Sequence, residues 1–272
     1  MKIRKGWKWF ILPMVVALLV ATFLLVGCSS GSLGTITENG STTVQPLAEK
    51  LAGAFKAKNP DVNVVIQGGG SAVGIKSVND GTVDIGAASR ELTASDPTLV
   101  KHLLARDGIA IIVHPSNTVT NLTKDQVIAI FSGNITNWSQ VGGPNKAIDV
   151  VAREEGSGTR AAFQDLVMGT TLVKADAILQ SSNGALKIAV SNDPQAVGFL
   201  SIGYIDSSVK ALAMNGVPAT EENAKNGTYP IVRPLYFLTK TQPTGILKDF
   251  IDFCTGPDGQ KVVAEEGFIT IE

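Results

Sequence analysis

The 272-residue sequence predicts an α/β fold, with helices on both faces of a mainly parallel sheet. The first reason is that short apolar runs alternate with segments whose apolar residues recur at helical spacing. Leu47, Leu51 and Phe55 show this spacing, and the run V-N-V-V-I at 62–66 follows them. The second reason is length, because 245 residues remain after the N-terminal segment 1–27, enough for one large or two medium domains.

The elements are predicted in order along the chain. A strand at 35–39 leads into a helix that opens at G-S-T-T-V-Q-P, and Thr123 is the predicted cap of a helix carrying Val127 and Phe131. The segment 215–227 is polar and predicted to lie on the surface. The other predicted strands lie at 62–66, 83–87, 109–113, 148–152, 196–200, 231–239 and 268–271, and the other helices at 72–79, 97–104, 159–168, 246–254 and 260–266.

The N-terminus has the pattern of a secretory signal. Four basic residues precede an apolar run from Trp9 to Val26, which ends in L-V-G-C. The cysteine after a small residue resembles a bacterial lipobox, so residues 1–27 are predicted to be removed and Cys28 to be lipidated. The alternative is an uncleaved membrane anchor, since the run approaches the length of a spanning helix. Both interpretations place the folded part outside the cytoplasm, attached to a membrane after a linker at 28–34.

Charge and cysteine content exclude several classes. Without residues 1–27 the chain has 19 Lys and Arg against 24 Asp and Glu, which argues against a nucleic-acid partner. With Cys28 acylated, Cys254 has no partner for a disulfide and is predicted to be a buried core thiol. His102, on the predicted helix 97–104, and His114 are the only histidines, so a zinc site is not expected and no cofactor is predicted.

Three predicted strand-to-helix turns share one chemistry. Each combines glycine, which lets the backbone turn tightly, with hydroxyl side chains at or near a helix N-cap. The first N–H groups of a helix have no internal partner and form a ready anion site. One such turn is usually structural, but three indicate convergence on one small ligand. They are 40–43 (G-S-T-T), 68–71 (G-G-G-S) and 156–159 (G-S-G-T).

Two arginines lie beside these turns. Arg153 offers a planar fork of donors that suits a tetrahedral oxyanion. Ser89 and Arg90, which follow the strand V-D-I-G-A-A, could add a hydroxyl and a second guanidinium. The alternatives are that Arg153 pairs with Glu154 or Glu155 in a solvated loop, and that Arg90 pairs with Glu91 or a surface carboxylate.

The enzyme motifs that these turns might suggest are missing. No G-x-x-x-x-G-K-[ST] string occurs, and Gly68, Gly69, Gly70 and Gly74 do not have the G-x-G-x-x-G spacing. Ser157 lies in E-G-S-G-T rather than in the G-x-S-x-G elbow of a hydrolase. The sequence therefore predicts a binding protein rather than an enzyme, and a secreted phosphatase is the disfavoured alternative.

An ordered set of motifs resembles the phosphate-binding proteins of bacterial ABC transporters, which belong to type II of the periplasmic-binding-protein superfamily. The resemblance runs from about Thr35 to the C-terminus. The motifs are G-S-T-T-V-Q-P, Q-G-G-G-S, D-I-G-A-A-S-R-E, R-E-E-G-S-G-T-R, I-F-S-G-N-I-T-N-W, V-G-F-L-S-I-G-Y, R-P-L-Y-F-L-T and G-Q-K-V-V-A-E-E-G-F.

The resemblance implies two α/β lobes that are joined by crossing hinge strands and close over a ligand. Lobe one would comprise residues 35–112 and 231–272, and lobe two residues 113–230. Together with the residue-level reasoning, it gives a candidate ligand-binding set: Thr42, Thr43, Ser71, Ser89, Arg90, Arg153, Ser157, Gly158 and Thr159.

Ser89 departs from the family pattern, because some relatives place an aspartate in this region. A carboxylate would accept the proton of phosphate and reject sulfate by charge. With Ser89 here, discrimination could rest on that hydroxyl, on Glu91 or Glu154, or be weaker.

The resulting hypothesis is a membrane-anchored, extracytoplasmic receptor, a monomer, that captures inorganic phosphate and delivers it to an ABC permease. Alternatives within the class are receptors for sulfate, molybdate or an organophosphate. A sensor or adhesin that uses the site to gate a protein partner is an alternative from another class.

Overall fold

The computed structural model describes residues 34–271. The predicted signal segment and Cys28 lie outside the described residues. The main sheet is mixed and has the order β2-β1-β3-β11-β4-β8-β6-β7, with β9 pairing to β4, and β10 pairs with β5 in a separate two-stranded sheet. The strands are β1 Gly34–Gly40, β2 Val62–Gly68, β3 Ile85–Ala88, β4 Val100–Val113, β5 Asn121–Leu122, β6 Asp149–Arg153, β7 Ile178–Gln180, β8 Ala196–Ser201, β9 Lys210–Ala211, β10 Ala213–Met214 and β11 Val232–Thr239.

Eight α-helices cover this sheet in the described part of the chain. Short 3₁₀ turns at Trp138–Val141 and Ile202–Tyr204 and a π-helical turn at Gln164–Met168 add to them. The helices are α1 Gln45–Lys58, α2 Ser71–Asp80, α3 Lys124–Phe131, α4 Gly158–Phe163, α5 Asn183–Ser191, α6 Glu221–Lys225, α7 Gly245–Thr255 and α8 Pro257–Glu265.

The apolar residues form separate cores at the two ends of the sheet. Leu47, Leu51 and Phe55 of α1 pack with Phe250 and Cys254 of α7 in the core beside β1, β2 and β3. Cys254 is fully buried, as the sequence predicted. The other end has its own core, in which Phe163 and Phe199 stack with ring centroids 4.1 Å apart. The protein is therefore two-lobed.

Strands β4 and β11 join the lobes. They pair antiparallel over their whole common length, with Arg233 directly opposite Asp107. Leu104 of β4 lies in the first core, whereas Ile109 of the same strand lies in the second. The same two strands thus belong to both lobes, which is the geometry of a hinge. The predicted boundaries, 112/113 and 230/231, stay a prediction.

The parallel strands of each lobe point their carboxyl ends at the interlobe cleft. Gly40, the last residue of β1, lies opposite Gly68, the last residue of β2. Strand β3 runs parallel to β1 on its other side. In the second lobe β6 ends at Arg153, parallel to β7 and β8. Ligands of open α/β sheets bind outside such ends, so this arrangement positions a site.

Two predicted elements were wrong. Residues 97–104 do not form a helix, because Val100 begins the long strand β4 and cross-strand pairing to β11 overrides the helical pattern. No strand forms at 268–271, where only an isolated bridge joins Ile269 to Arg106. The helix predicted at 159–168 was confirmed in its span, since the chain is helical from Gly158 to Met168, but its second half after Phe163 is π-helical.

The remaining predicted elements were confirmed within a few residues. Thr123 caps α3 through a capping box with Gln126, as the motif predicts. The polar segment 215–227 carries the short helix α6, which Thr220 caps. Between residues 34 and 271 no helix is both long enough and apolar enough to cross a bilayer.

Candidate functional site

The three glycine-rich turns meet where the two lobes touch. The N–H of Gly70 donates to the carbonyl oxygen of Gly40 at 2.8 Å, which ties the first two turns together. The N–H of Ala72 donates to the carbonyl oxygen of Gly156 at 3.0 Å, which ties them to the turn of the second lobe. Gly70 and Gly156 have φ of +96° and +83°, a conformation that favours glycine. The three turns therefore meet in space, and their convergence on one small ligand stays a prediction.

The helix starts differ from the prediction in detail. Ser157 is a true N-cap, whose hydroxyl accepts from the N–H of Arg160. By contrast, α1 and α2 have Val44 and Gly70 at the N-cap, and no side chain caps either helix. The hydroxyls of Ser71 and Thr43 are therefore not used as caps, which leaves them for other contacts.

Hydroxyl groups from both lobes form one buried cluster. The Oγ1 atoms of Thr43 and Thr159 lie 3.1 Å apart across the cleft. Ser71 Oγ accepts from the N–H of Ser89 at 3.1 Å and lies 3.4 Å from Ser89 Oγ. All four side chains are almost inaccessible to solvent. The structure thus brings together hydroxyl residues that are up to 116 positions apart in the sequence.

Arg153 lies at the end of β6 and is buried. Its Nε and Nη2 donate to the carbonyl oxygens of Gln180 and Ser181, and Nη2 also reaches Thr42 Oγ1 at 3.3 Å. Its Nη1 is buried and has no partner within the part of the chain that the structure describes. Burial and the nearby guanidinium of Arg233 lower the pKa of Arg153 to about 10. No ion pair involving Arg153 occurs among the described residues, so the alternative, a pairing with Glu154 or Glu155, is not formed.

A second buried arginine, Arg233, was missed from the sequence. Its Nε and Nη2 both donate to Oδ2 of Asp107, at 3.1 and 2.8 Å, while Ser201 donates to Oδ1. Burial raises the pKa of Asp107 and lowers that of Arg233, and the attraction between the two opposes both shifts. The available signal was an acidic and a basic residue inside otherwise apolar strands, R-D-G-I-A-I and V-R-P-L-Y-F.

Arg233 also reaches the hydroxyl cluster. Its Nη1 donates to Thr159 Oγ1 at 2.8 Å and to the carbonyl and hydroxyl oxygens of Ser89 at 3.1 and 3.3 Å. Its Nη2 donates to Thr43 Oγ1 at 3.1 Å. A single guanidinium therefore contacts hydroxyls of both lobes from the crossing strand.

Two further residues of the second lobe were missed. The Nδ2 of Asn183 donates to Thr43 Oγ1 at 2.7 Å, and the hydroxyl of Tyr204 donates to the carbonyl oxygen of Thr42. Burial raises the pKa of Tyr204, so its hydroxyl remains a donor. Neither residue belongs to a motif with a known anion-binding mechanism, and only the folded chain places them beside the first turn.

Some predicted residues are not in the cluster. Arg90 forms a bidentate ion pair with Asp96, in which Nη1 and Nη2 donate to the two carboxylate oxygens at 2.7 and 2.9 Å. This pairing holds the pKa of Asp96 well below its ordinary value. Glu91 accepts from the hydroxyl of Tyr236 at 2.9 Å and pairs with Lys101. Glu154 is exposed. Arg90 therefore pairs with a carboxylate outside the cluster, which was the alternative to a role in ligand binding. The partners of Glu91 also lie outside the hydroxyl cluster.

Metal-ligating groups do not converge anywhere between residues 34 and 271. His102 lies on β4 with Nε2 2.9 Å from Thr239 Oγ1, and His114 contacts Ser116. The cluster consists of the guanidiniums of two arginines, the carboxylate of Asp107, the amide of Asn183 and seven hydroxyls, those of Thr42, Thr43, Ser71, Ser89, Thr159, Ser201 and Tyr204.

The protein has two lobes that are joined by two crossing strands, and helix N-termini of both lobes meet beside a buried arginine. These features define the class of two-lobed solute-binding proteins. The family model described as a PBP superfamily domain matches residues 29–258. The phosphate-binding protein PstS of Bacillus subtilis (strain 168) is 32% identical over 282 residues, covering 95% of this chain and 94% of that protein. The chain belongs to the PBP superfamily and, within it, to the family of the phosphate-binding protein PstS.

Solved structures agree with this assignment. A Clostridium perfringens protein described as a phosphate ABC transporter substrate-binding protein with bound phosphate has a TM-score of 0.86 and 40% identity, covering 88% of this chain and 100% of that one. An ABC-type phosphate transport receptor from Vibrio cholerae has a TM-score of 0.73 and 40% identity, covering 86% and 99%.

Proposed function

We propose that this protein is an extracytoplasmic receptor that binds inorganic phosphate between its lobes and delivers it to an ABC importer. The observation that carries the proposal is the Arg153 guanidinium, which is buried beside the hydroxyl of Thr42 with Nη1 unpartnered in the described chain. A buried donor without a partner costs about 1–3 kcal/mol, and more when it is charged. An oxyanion beside Arg153 removes that cost.

The charge balance of the cluster supports an anionic ligand. Arg153 and Arg233 are two buried cations, and Asp107 is the buried carboxylate that pairs with one of them. One positive charge is therefore left without a buried counter-ion, which is unfavourable in a medium of low dielectric constant. A tetrahedral oxyanion supplies the charge and also accepts hydrogen bonds from the surrounding hydroxyls.

The relatives indicate which oxyanion. The Bacillus subtilis protein is named for phosphate binding, and the Clostridium perfringens structure was solved with phosphate bound. Both are similar to this chain over most of its length. We assign inorganic phosphate as the ligand, and Thr42, Thr43, Ser71, Ser89, Arg153, Ser157, Gly158 and Thr159 as the groups around it.

Titration calorimetry of the full chain in detergent tests the assignment. We expect phosphate to bind well below millimolar concentration, a threshold that corresponds to about −4 kcal/mol. Arg153→Ala should weaken binding by about 1.5–3 kcal/mol, the contribution of a charge-assisted hydrogen bond. Arg106→Ala, on an exposed position of β4, is the matched control. No binding by the native chain would refute the function, and an unchanged affinity in Arg153→Ala would remove Arg153 from the site.

Sulfate is a second candidate ligand because of how the carboxylates lie. Asp107 is engaged by Arg233 and Ser201, and Glu91 by Tyr236 and Lys101. Neither carboxylate is left to accept the proton of phosphate, and Ser89 is a neutral acceptor. Competition by sulfate in the same titration measures the selectivity directly.

The envelope location is a proposal that rests on the sequence. Residues 1–27 act as a signal segment, and the acylated Cys28 anchors a monomeric receptor beside its permease. Labelling of cells with a radioactive fatty acid should mark the native protein and not Cys28→Ser, because the lipid would be attached through the Cys28 thiol. A native protein that takes up no label would overturn the lipid anchor.

A further inference from the structure

Thr43 receives two hydrogen bonds from inside the protein. Its Oγ1 accepts from Arg233 Nη2 at 3.1 Å and from Asn183 Nδ2 at 2.7 Å. A hydroxyl oxygen has two lone pairs and one hydrogen. Because both lone pairs are taken, the only hydrogen bond left to Thr43 is the one that it donates.

The direction of the next hydrogen bond follows from this. Thr159 Oγ1 lies 3.1 Å from Thr43 Oγ1 and also accepts from Arg233 Nη1 at 2.8 Å. When Thr43 donates to Thr159, both lone pairs of Thr159 are occupied as well. Thr159 is then restricted to donating, and its hydroxyl lies at the first turn of α4, where the anion is proposed to bind.

We infer that Arg233, fixed by Asp107, and Asn183 are positioning residues that set the direction of the hydroxyl hydrogen bonds, so that Thr43 donates to Thr159 and Thr159 presents a donor to the oxyanion. The inference rests on the proposed function and deepens it. It assigns to a residue of the crossing strand a role in affinity that acts through the two threonines.

Asp107 explains why the arginine is held in one orientation. The carboxylate takes Nε and Nη2 on one edge of the guanidinium, which turns Nη1 towards Ser89 and Thr159. A lysine at 233 would keep the charge beside Asp107, but an ammonium has no planar fork that reaches all these groups. Arg233→Lys therefore keeps the positive charge beside Asp107 but removes the hydrogen bonds that set the direction of the hydroxyls.

The test is a double-mutant cycle on the full chain in detergent, with inorganic phosphate as titrant. Arg233→Lys and Thr159→Val should each raise Kd by about tenfold, since each removes donors from a buried polar network. If Arg233 acts through Thr159, the two losses of affinity are not independent. The Kd of the double variant should then rise at least about threefold less than the about 100-fold product of the single effects. Arg106→Lys, at an exposed position of the neighbouring strand β4, is the control and should leave Kd unchanged.

Two readouts keep this test decisive. A purely structural role for Arg233 would lower the melting temperature without coupling to Thr159, so multiplicative losses in Kd would overturn the inference. An unchanged Kd in Arg233→Lys would overturn it too. If Arg233→Lys does not fold, the same cycle is run with Asn183→Leu, which removes the other donor to Thr43 and should couple in the same sense. Failure of the native chain to bind phosphate would instead refute the proposed function.

Discussion

Gly158 and Ser71 approach each other across the cleft so closely that a Cβ on Gly158 would lie 2.2 Å from Ser71 Oγ. The same atom would lie 2.6 Å from Ser89 Oγ. Gly158 begins α4 in the second lobe, whereas Ser71 begins α2 in the first. Two helix N-termini therefore face each other at this point, and only a residue without a side chain lets them do so.

Gly158→Ala should weaken phosphate binding by at least about tenfold while leaving the unfolding temperature unchanged or slightly raised. The added methyl prevents the lobes from closing, but alanine is a better helix former than glycine. Titration and thermal unfolding measure the two effects. Gly53→Ala in α1, where a Cβ would meet nothing within 4 Å, is the control and should raise stability without changing affinity. Equal affinity in Gly158→Ala would show that the lobes do not close this tightly around phosphate.

Arg90→Ala should lower stability rather than affinity. The half-buried guanidinium pairs with Asp96, which also accepts from the N–H and hydroxyl of Thr93. Removing it leaves that carboxylate without its cation, at an expected cost of about 1–2 kcal/mol in urea unfolding. Asp96→Asn should have a similar effect. A tenfold or larger loss of phosphate affinity in Arg90→Ala would return this arginine to the site.

The parts of the candidate site that lie in local motifs are the parts that could be predicted from the sequence. The glycines and hydroxyls at 40–43, 68–71 and 156–159 follow strands directly, so strand-to-helix patterning alone indicates that they share an edge of the sheet. Arg153 was found for the same reason, because it ends a strand next to one of these turns. Ser71, Thr159 and Gly158 do lie together in the structure.

The residues that were missed depend on register and long-range packing. Asp107 and Arg233 meet because β4 and β11 pair antiparallel with these two positions opposite each other, and nothing within either strand fixes that register. The wrong helix at 97–104 has the same cause, since pairing to β11 extends β4 back to Val100. Asn183 reaches Thr43 across 140 positions of sequence.

Glu38 should make the folded protein less stable as the pH rises. It lies on β1, 1% exposed, and neither carboxylate oxygen has a hydrogen-bond partner among the described residues. Burial, with a smaller effect from Glu49, raises the pKa of Glu38 from 4.5 to about 8. The protonated form is favoured in the folded state, so its stabilising contribution is complete below pH 4.5 and is lost as the pH rises to about 8.

Glu38→Gln removes this titration while keeping the shape of the side chain. The free energy of unfolding is measured in urea at pH 5, 7 and 9. Relative to the native protein, that of the variant should increase by several kcal/mol between pH 5 and pH 9, since one pKa unit corresponds to about 1.4 kcal/mol. Glu155→Gln, at an exposed position, should follow the native curve. Parallel curves for Glu38→Gln and the native protein would mean that Glu38 is solvated or paired in solution.

Tyr204→Phe should weaken phosphate binding by about threefold to tenfold, with little change in stability. The hydroxyl of Tyr204 donates from the second lobe to the carbonyl oxygen of Thr42 in the first, so its bond exists only while the lobes touch. A neutral hydrogen bond contributes about 0.5–1.5 kcal/mol, and here that contribution favours the closed form. Tyr229→Phe is the matched control, because that hydroxyl donates to Ile109 within the second lobe at 2.8 Å. The control should lower the unfolding temperature and leave Kd alone, and the reverse pattern would show that Tyr204 supports the fold rather than closure.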